Sequence, residues 1–265
     1  MPRSAVLLLD LEDSISAENK ASQRSQIQRL LQSGVLRNRK TLLRINGPDN
    51  PEEMRTDIAR CLHQDLDGLL LPMVSSANEI VEIEQIVSVT ERMKGLKEGH
   101  TAFVPLIERP AAVLEASAIA AASDRNVALS FGHVDYCLEV GAEISEEAVD
   151  IPRQMVLMAA KANRLAAISS VFLDLDDMEA FQQQNQQRKR LGFDGCFALT
   201  PRQMHMALEI FSYSAEEIEH SKRVIEAVEK QGSIAKLDGK MIGPPMLKMA
   251  LKILADIQEE FREAV

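Results

Sequence analysis

The chain has 265 residues, of which 46% are hydrophobic and 26% are charged, so it can bury a large core and is not disordered. Its formal net charge of -10 disfavours nucleic acids and anionic membranes as partners, because both require a basic surface. No apolar stretch reaches the roughly 18 residues of a membrane span, and no signal peptide is recognisable, which predicts a cytoplasmic protein. The three cysteines are far apart and are predicted to be reduced.

Apolar runs that read as strands alternate with segments of helical spacing along the chain. The predicted strands are 4–11, 41–46, 67–72, 102–108, 127–132, 167–175 and 193–201. The predicted helices between and after them are 16–31, 51–62, 76–93, 110–122, 145–165, 176–191, 201–211, 215–231 and 245–260. This alternation is typical of a parallel sheet with helical crossovers.

The number of strand–helix units, seven, favours an α/β fold of the TIM-type β/α barrel class over an open doubly wound sheet. No Gly-x-Gly-x-x-Gly follows any strand, and there is no P-loop. A closed barrel has eight strands, and only seven are found, so a gap is expected between the first and the seventh. Residues 1–231 are predicted to form this barrel. Residues 232–265, a Gly- and Pro-rich linker and a helix, are predicted to be a lid, a subunit-crossing arm or a capping helix pair.

In a parallel barrel, function gathers at the carboxyl ends of the strands. Asp10, Glu12 and Asp13 follow the first predicted strand, and Arg44 ends the second. Glu108 ends the fourth strand, and Asp135 follows the fifth. Neighbouring strands lie about 4.8 Å apart, so Glu108 and Asp135 could share a hard cation such as Mg2+. Each could equally cap a helix or pair with a base.

Arg44 also has two interpretations: bidentate capture of a substrate carboxylate, or an internal salt bridge to Asp10 or Glu12. His133, two residues before Asp135, is either a general base or a partly exposed loop histidine. Lys20 and Arg24 are four residues apart on the helix after the first strand, where they could meet an anionic ligand.

Several segments together resemble the citrate lyase β-subunit-like family of the HpcH/HpaI aldolase superfamily, which includes acyl-CoA carbon–carbon lyases. The matching segments include DLEDSISAENKASQR (10–24), LLRIN (42–46), PLIERPAAV (105–113), LSFGHVDY (129–136) and GFDGCFALTPRQM (192–204). They occur in the family order and cover nearly the whole chain. The resemblance implies a barrel that forms homo-oligomers, often trimers.

The resemblance implies Mg2+-dependent cleavage of a short 3-hydroxy-carboxyacyl-CoA thioester of the citryl-, malyl- or citramalyl-CoA type. By this resemblance Glu108 and Asp135 bind the metal, and Arg44 binds substrate and offsets the charge that develops in cleavage. Asp10, Glu12 and Asp13 would then surround Arg44 and the metal's waters. The same resemblance places Lys20 and Arg24 near the phosphates of CoA.

Three departures from the family pattern stand out. Family members begin with one more strand and helix, so this chain is expected to lack the first βα unit. The His-Pro that ends their last strand is Thr200-Pro201 here. The tail aspartate proposed as their acid/base, delivered to a neighbouring subunit, is Gly243 here, which leaves Asp238 and His133 as candidates. The alternative function is therefore a catalytically impaired CoA-thioester-binding protein on the same scaffold.

Overall fold

A computed structural model describes the backbone of residues 5–263 and the side chains of residues 5–258. Its strands are β1 (Leu7–Asp10), β2 (Thr41–Arg44), β3 (Gly68–Leu71), β4 (Ala102–Ile107), β5 (Ala128–Phe131), β6 (Ala166–Ser169), β7 (Gly195–Cys196), β8 (Ala235–Leu237) and β9 (Lys240–Ile242). Its helices are α1 (Lys20–Gln32), α2 (Pro51–Cys61), α3 (Ala77–Lys94), α4 (Pro110–Ala121), α5 (His133–Val140), α6 (Glu146–Ala162), α7 (Met178–Leu191), α8 (Pro201–Phe211), α9 (Ala215–Gln231) and α10 (Pro244–Glu263). A single 3-10 turn, Ala17–Asn19, precedes α1.

The first seven strands form one parallel sheet in the order β1-β2-β3-β4-β5-β6-β7. Each strand pairs with the next one along the chain, and the register places Asp10 beside Arg44. In the part of the chain that the structure describes, β1 and β7 do not pair with each other. The predicted TIM-type fold with seven strands and a gap between the first and the last is therefore confirmed.

The inner face of this sheet is a layer of apolar side chains, contributed by alternate residues of the strands and by the residue that follows β7. It contains Leu8, Leu42, Leu70, Val104, Leu106, Ala128, Ala166, Ile168 and Phe197. Because strand side chains alternate between faces, a residue two positions beyond an inner-face leucine points the same way. Asp10, Arg44 and Glu108 stand in this relation to Leu8, Leu42 and Leu106, so they lie at the carboxyl end of the inner face.

Three elements differ from the sequence prediction in this part of the fold. The predicted strand 193–201 is only Gly195–Cys196, because Leu199 N–H and Thr200 Oγ1 form hydrogen bonds with Gln203 of α8 instead. The predicted strand 167–175 ends at Ser169, because Asp174 accepts hydrogen bonds from the backbone N–H groups of Asp176 and Asp177 and folds the segment into a turn. The short helix α5 was not predicted, since its eight residues follow β5 directly and include a β-branched first turn.

Residues 5–204 form one compact unit and residues 205–263 belong to a second. In the second unit, a small apolar core joins α9, the β8–β9 hairpin and α10; it contains Val224, Ala227, Ala235, Ile242 and Ala250. The segment predicted as a linker thus contains an antiparallel hairpin. The chain passes from one unit to the other within α8, and the predicted domain boundary after residue 231 stays a prediction. No helix among the described residues is long and apolar enough to cross a bilayer.

A buried ion pair near the amino end of the sheet joins Glu91 of α3 to Arg125. The Glu91 carboxylate is fully buried and accepts two hydrogen bonds from Arg125, at 2.9 and 2.7 Å, and two from the backbone N–H groups of Gly99 and Thr101. Burial alone would raise the pKa of Glu91, but these hydrogen bonds outweigh it and lower the pKa to about 2.

Acid should therefore destabilise the fold through Glu91. A carboxyl whose pKa is lower in the folded than in the unfolded chain stabilises the fold above its unfolded value, near 4.5, and this contribution is lost as the pH falls toward 2. We expect a loss of up to about 3 kcal/mol across that window, measured by urea unfolding at several pH values. Glu91→Gln should make the free energy of unfolding less dependent on pH between about 4.5 and 2. Glu98→Gln, which removes a carboxylate from an exposed pair with Arg92, should leave this pH dependence unchanged. If Glu91→Gln loses as much stability in acid as the unmodified protein does, Glu91 is not the group responsible.

Candidate active site

Arg44, at the end of β2, is held by the carboxylates that follow β1. Its Nε and Nη2 donate to the two oxygens of Asp10 at 2.7 and 2.6 Å, a bidentate pair that follows from the β1–β2 register. Its Nη1 lies 2.6 Å from Glu12 Oε2 and 3.5 Å from Asp13 Oδ2. The internal salt bridge considered from the sequence is thus formed, while about a fifth of the Arg44 side chain stays exposed.

Glu108 follows β4 and is buried beside two backbone segments. Its Oε1 accepts a hydrogen bond of 2.7 Å from the backbone N–H of Met73, in the loop after β3. Met73 has a φ of 55°, a left-handed conformation that costs a non-glycine residue of order 1–2 kcal/mol. On its other side, a Cβ placed on Gly132 would lie 2.5 Å from Glu108 Oε2, so only glycine fits there. The Glu108 carboxyl therefore has a defined position.

Asp135 lies in the first turn of α5, three residues after Gly132, the glycine that contacts Glu108. Burial and the negative charge of Asp13 raise the pKa of Asp135. Burial and the charges of Glu12 and Asp135 raise the pKa of Glu108 to about 8, against the hydrogen bond from Met73. Glu108 and Asp135, the metal ligands predicted from the sequence, therefore lie close enough for the charge of Asp135 to act on Glu108.

This environment contains more acidic than basic side chains. Burial raises the pKa of Glu12 to about 7, opposed by Arg44 and reinforced by Asp13, Asp10 and Asp135. Burial would raise the pKa of Asp10 too, but hydrogen bonds from Arg44 and Ser14 lower it. Arg44 is the cation that acts on these groups, yet the pKa values of Glu12, Glu108 and Asp135 are raised. A carboxylate cluster with this charge imbalance attracts cations.

The donor set fits a hard divalent cation. Glu108 and Asp135 offer carboxylate oxygens only, and Mg2+ is usually bound by one or two protein carboxylates, with waters and substrate oxygens completing its coordination. Among the residues that the structure describes, no three His, Cys, Asp or Glu side chains form a closed metal cage. A site built on Glu108 and Asp135 would therefore be open to substrate.

Lys20 and Arg24, the two basic residues of α1 predicted to meet an anionic ligand, have different surroundings. Lys20 donates to Asn46 Oδ1 and lines a small cavity of about 290 Å³ together with Glu12, Asp13 and Asn46. Arg24 is buried, and its guanidinium is paired with Glu53 and Asp57 of α2. Because Arg24 is buried in these two ion pairs, the structure gives it a role in joining α1 to α2 and does not support contact with CoA phosphates.

Asp57 and Asn46, for which the sequence predicted no role, connect α1, α2 and the ends of β1 and β2 through hydrogen bonds. The Asp57 carboxylate accepts from Arg24 and from the backbone and side-chain N–H groups of Asn46, whose amide also donates to Leu11 O. The only signal in the sequence is that Asn46 stands two residues after Arg44, on the same strand face. The partner on α2 depends on helix packing and could not be read from the chain order.

His133 does not point toward the acidic cluster. It is 9% exposed and is the first residue of α5. Burial, Arg188 and Arg153 lower its pKa, opposed by Glu146, and all three of those residues lie in α6 and α7. The interpretation of His133 as a partly exposed loop histidine is wrong, and the contacts do not support its role as a base for the cluster.

Asp238, the other candidate for proton transfer, belongs to the second compact unit. It forms the turn of the β8–β9 hairpin with Gly239, both at positive φ (50° and 79°), and its carboxylate is paired with Arg223 of α9. Asp-Gly between two short strands is a strong hairpin signal, which gives Asp238 a structural role. Gly243 directly precedes α10, and a Cβ there would come no closer than 3.8 Å to Pro245, so a larger residue fits.

Sequence comparisons identify the family to which the chain is similar. Residues 4–201 match the family described as HpcH/HpaI aldolase/citrate lyase. The chain is 29% identical to citrate lyase subunit beta of Haemophilus influenzae over 97% of its length and 90% of that protein. It is 26% identical to an L-malyl-CoA/beta-methylmalyl-CoA lyase of Cereibacter sphaeroides over 84% of its length and 77% of that protein.

Among solved structures, the fold is similar to that of protein CitE from Mycobacterium tuberculosis in complex with magnesium, acetoacetate and coenzyme A. The TM-score is 0.77 at 23% identity, covering 94% of this chain and 88% of that one. The chain thus belongs to the HpcH/HpaI aldolase/citrate lyase family, which confirms both the predicted family and the prediction that the protein is a lyase.

Proposed function

We propose that this protein is a Mg2+-dependent carbon–carbon lyase that cleaves a short 3-hydroxy-carboxyacyl-CoA thioester of the citryl-, malyl- or citramalyl-CoA type. The observation that carries the proposal is the buried, oxygen-only cluster around Glu108 and Asp135 beside Arg44, at the carboxyl end of a TIM-type sheet. The names of the relatives, and the magnesium and coenzyme A in the M. tuberculosis structure, support the choice of metal and of thioester.

The roles of the chain's own residues follow from their surroundings. Glu108 and Asp135 would hold Mg2+, which supplies positive charge that acidifies the substrate hydroxyl and offsets developing negative charge. The guanidinium of Arg44, oriented by Asp10 and Glu12, would bind the substrate carboxylate and stabilise the charge of the departing enolate. Asp10, Glu12 and Asp13 position Arg44, and Lys20 faces the cavity where an anionic part of the substrate could enter.

The test is a spectrophotometric assay of thioester-dependent cleavage of citryl-, malyl- and citramalyl-CoA. We expect one of the three to be cleaved in the presence of Mg2+ and the activity to disappear with EDTA. A protein that binds these thioesters in calorimetry without cleaving any of them would match the second candidate, a binding protein with impaired turnover. The observation that favours this candidate is that Gly243 replaces the expected acid/base and that Asp238 is engaged by Arg223.

Gly243→Asp should raise kcat with little change in KM, because the added carboxylate would act in proton transfer rather than in binding. General acid–base assistance is typically worth about 10²–10⁴-fold, so we expect a gain of at least about tenfold. Gly243→Asn is the matched control, since it has the same size without an ionisable group. Equal rates for the two variants, or no gain with aspartate, would show that position 243 does not carry the proton.

We also propose that the protein is a cytoplasmic homotrimer. Large apolar side chains are exposed on the neighbouring helices α4, α5 and α6, among them Leu114, Leu138, Ile151 and Met158. Exposed apolar surface of this kind supports self-association. Light scattering coupled to size-exclusion chromatography measures the mass directly, and a monomer of 29.4 kDa at micromolar concentration would contradict the proposal.

A further inference from the structure

A second charged cluster, made of side chains other than those of the candidate active site, lies beneath α6 and α7. Arg153 of α6 and Arg188 of α7 are only 3% and 4% exposed. Arginines are almost never buried to this degree unless their charge is compensated. The compensation here is partial: it comes from two carboxylates of α6 and from the carbonyl oxygen of Ser170, which accepts from Arg188 Nη1 at 3.3 Å.

Glu146, the first residue of α6, bridges the two arginines. Its Oε2 accepts from Arg153 Nη2 at 2.7 Å, and its Oε1 lies 3.5 Å from Arg188 Nη2. Asp150 also accepts from Arg153, at 3.0 Å. The Glu146 and Asp150 side chains are 52% and 46% exposed, so water screens their charge, whereas both guanidiniums are shielded from water.

Several buried polar atoms of this cluster have no hydrogen-bond partner in the protein. They are Arg153 Nε, Arg188 Nε and Gln184 Oε1. An unpaired buried donor or acceptor costs about 1–3 kcal/mol, and more when it is charged. Each arginine thus retains a buried N–H group that no protein atom accepts. Burial and the charge of Arg153 lower the pKa of Arg188 to about 10, which is consistent with an unbalanced positive field.

A surface cavity adjoins Glu146, the carboxylate that bridges the two arginines. Glu146 and Gln184, which donates to Glu146 Oε1 at 2.6 Å, both line a surface cavity of about 470 Å³. Phe172, Gln187 and Arg190 line the same cavity. Because Glu146 is half-exposed, its carboxylate can turn toward solvent at low cost and leave its place between the guanidiniums.

We propose that Arg153 and Arg188 form a binding site for a small oxyanion, a phosphate or a carboxylate, which enters through this cavity and takes the place of the Glu146 carboxylate. A guanidinium presents parallel N–H groups that match either group in a bidentate manner, so the shared chemistry is an oxygen anion. When the Glu146 carboxylate turns away, Gln184 Nε2, which donates to it, is free to donate to the anion instead. This inference is independent of the proposed lyase activity.

Calorimetric titration of the full chain with inorganic phosphate, and separately with acetate, tests the proposal against chloride at matched ionic strength. We expect saturable binding of one anion per chain for at least one probe. Stronger binding of phosphate would identify a phosphorylated ligand, and stronger binding of acetate an organic acid. Glu146→Gln removes the resident competitor and should tighten binding by at least about tenfold, a change of about 1.4 kcal/mol.

Arg188→Gln should weaken binding at least tenfold, whereas Arg92→Gln, which removes the same charge from an exposed pair on α3, should leave it unchanged. If Arg188→Gln fails to fold, the thermal midpoint of Glu146→Gln provides a second test. Phosphate or acetate should raise the thermal midpoint of Glu146→Gln more than that of the unmodified protein. The proposal is overturned if neither the unmodified protein nor Glu146→Gln binds an anion saturably, or if a folded Arg188→Gln binds as tightly as the unmodified protein.

Discussion

Arg44→Lys is expected to lower kcat/KM by about 10²–10³ on whichever thioester the protein cleaves. Lysine keeps the positive charge but cannot donate to both oxygens of Asp10 while also reaching Glu12. The charge would therefore lose its fixed orientation toward the substrate carboxylate and the enolate. Steady-state kinetics at saturating Mg2+ measures the loss, which should appear in both kcat and KM because Arg44 is proposed to act in binding and in cleavage.

The matched control for Arg44→Lys is Arg37→Lys, at the opposite end of β2. Arg37 is two-thirds exposed and lies 3.8 Å from Asp65, so its replacement should leave kinetics and thermal stability unchanged. Circular dichroism establishes that each variant is folded before its rates are compared. A folded Arg44→Lys variant with activity within threefold of the unmodified protein would contradict the role assigned to Arg44.

Gly132→Ala is expected to abolish Mg2+ binding through a single added methyl group. The new Cβ would lie 2.5 Å from Oε2 and 2.6 Å from Cβ of Glu108, and the latter atom cannot rotate away without a backbone shift. Glu108 would therefore leave the position fixed by the Met73 N–H. Overpacking of this kind typically costs about 1–3 kcal/mol, so we also expect a lower free energy of unfolding in denaturant titration.

Gly195→Ala provides the comparison for Gly132→Ala, because it adds the same methyl group to β7. There the Cβ would meet Ile168 Cδ1 at 3.7 Å, an ordinary contact, and neither glycine has a positive φ. Gly195→Ala should therefore retain Mg2+ affinity. If Gly132→Ala binds Mg2+ as the unmodified protein does, the Glu108 carboxylate is not part of the metal site.

The sequence predicts the parts of the site that depend on strand periodicity. Asp10, Arg44 and Glu108 follow buried strands with the parity of the inner face, so their convergence needs no information beyond alternation and strand order. Asp238-Gly239 is likewise a hairpin signal that the sequence contains.

Other features depend on tertiary packing and have no local signal. Arg24 and Lys20 look alike from their helical spacing, and only the packing of α1 on α2 buries Arg24 against Asp57. The left-handed backbone of Met73, which directs an N–H to Glu108, occurs at a residue type that rarely adopts it. The bridging of Arg153 and Arg188 by Glu146 joins two helices that are separated along the chain by β6.

We propose that Glu108 and Asp135 bind the catalytic metal. Calorimetric titration with Mg2+ measures this binding directly. The unmodified protein should bind one Mg2+, and a Glu108→Gln/Asp135→Asn double variant should bind none while remaining folded. A second double variant, Asp176→Asn/Glu179→Gln, removes two carboxylates near the start of α7 and should bind Mg2+ normally. Mg2+ binding of unchanged affinity and stoichiometry in the Glu108→Gln/Asp135→Asn variant would contradict the account.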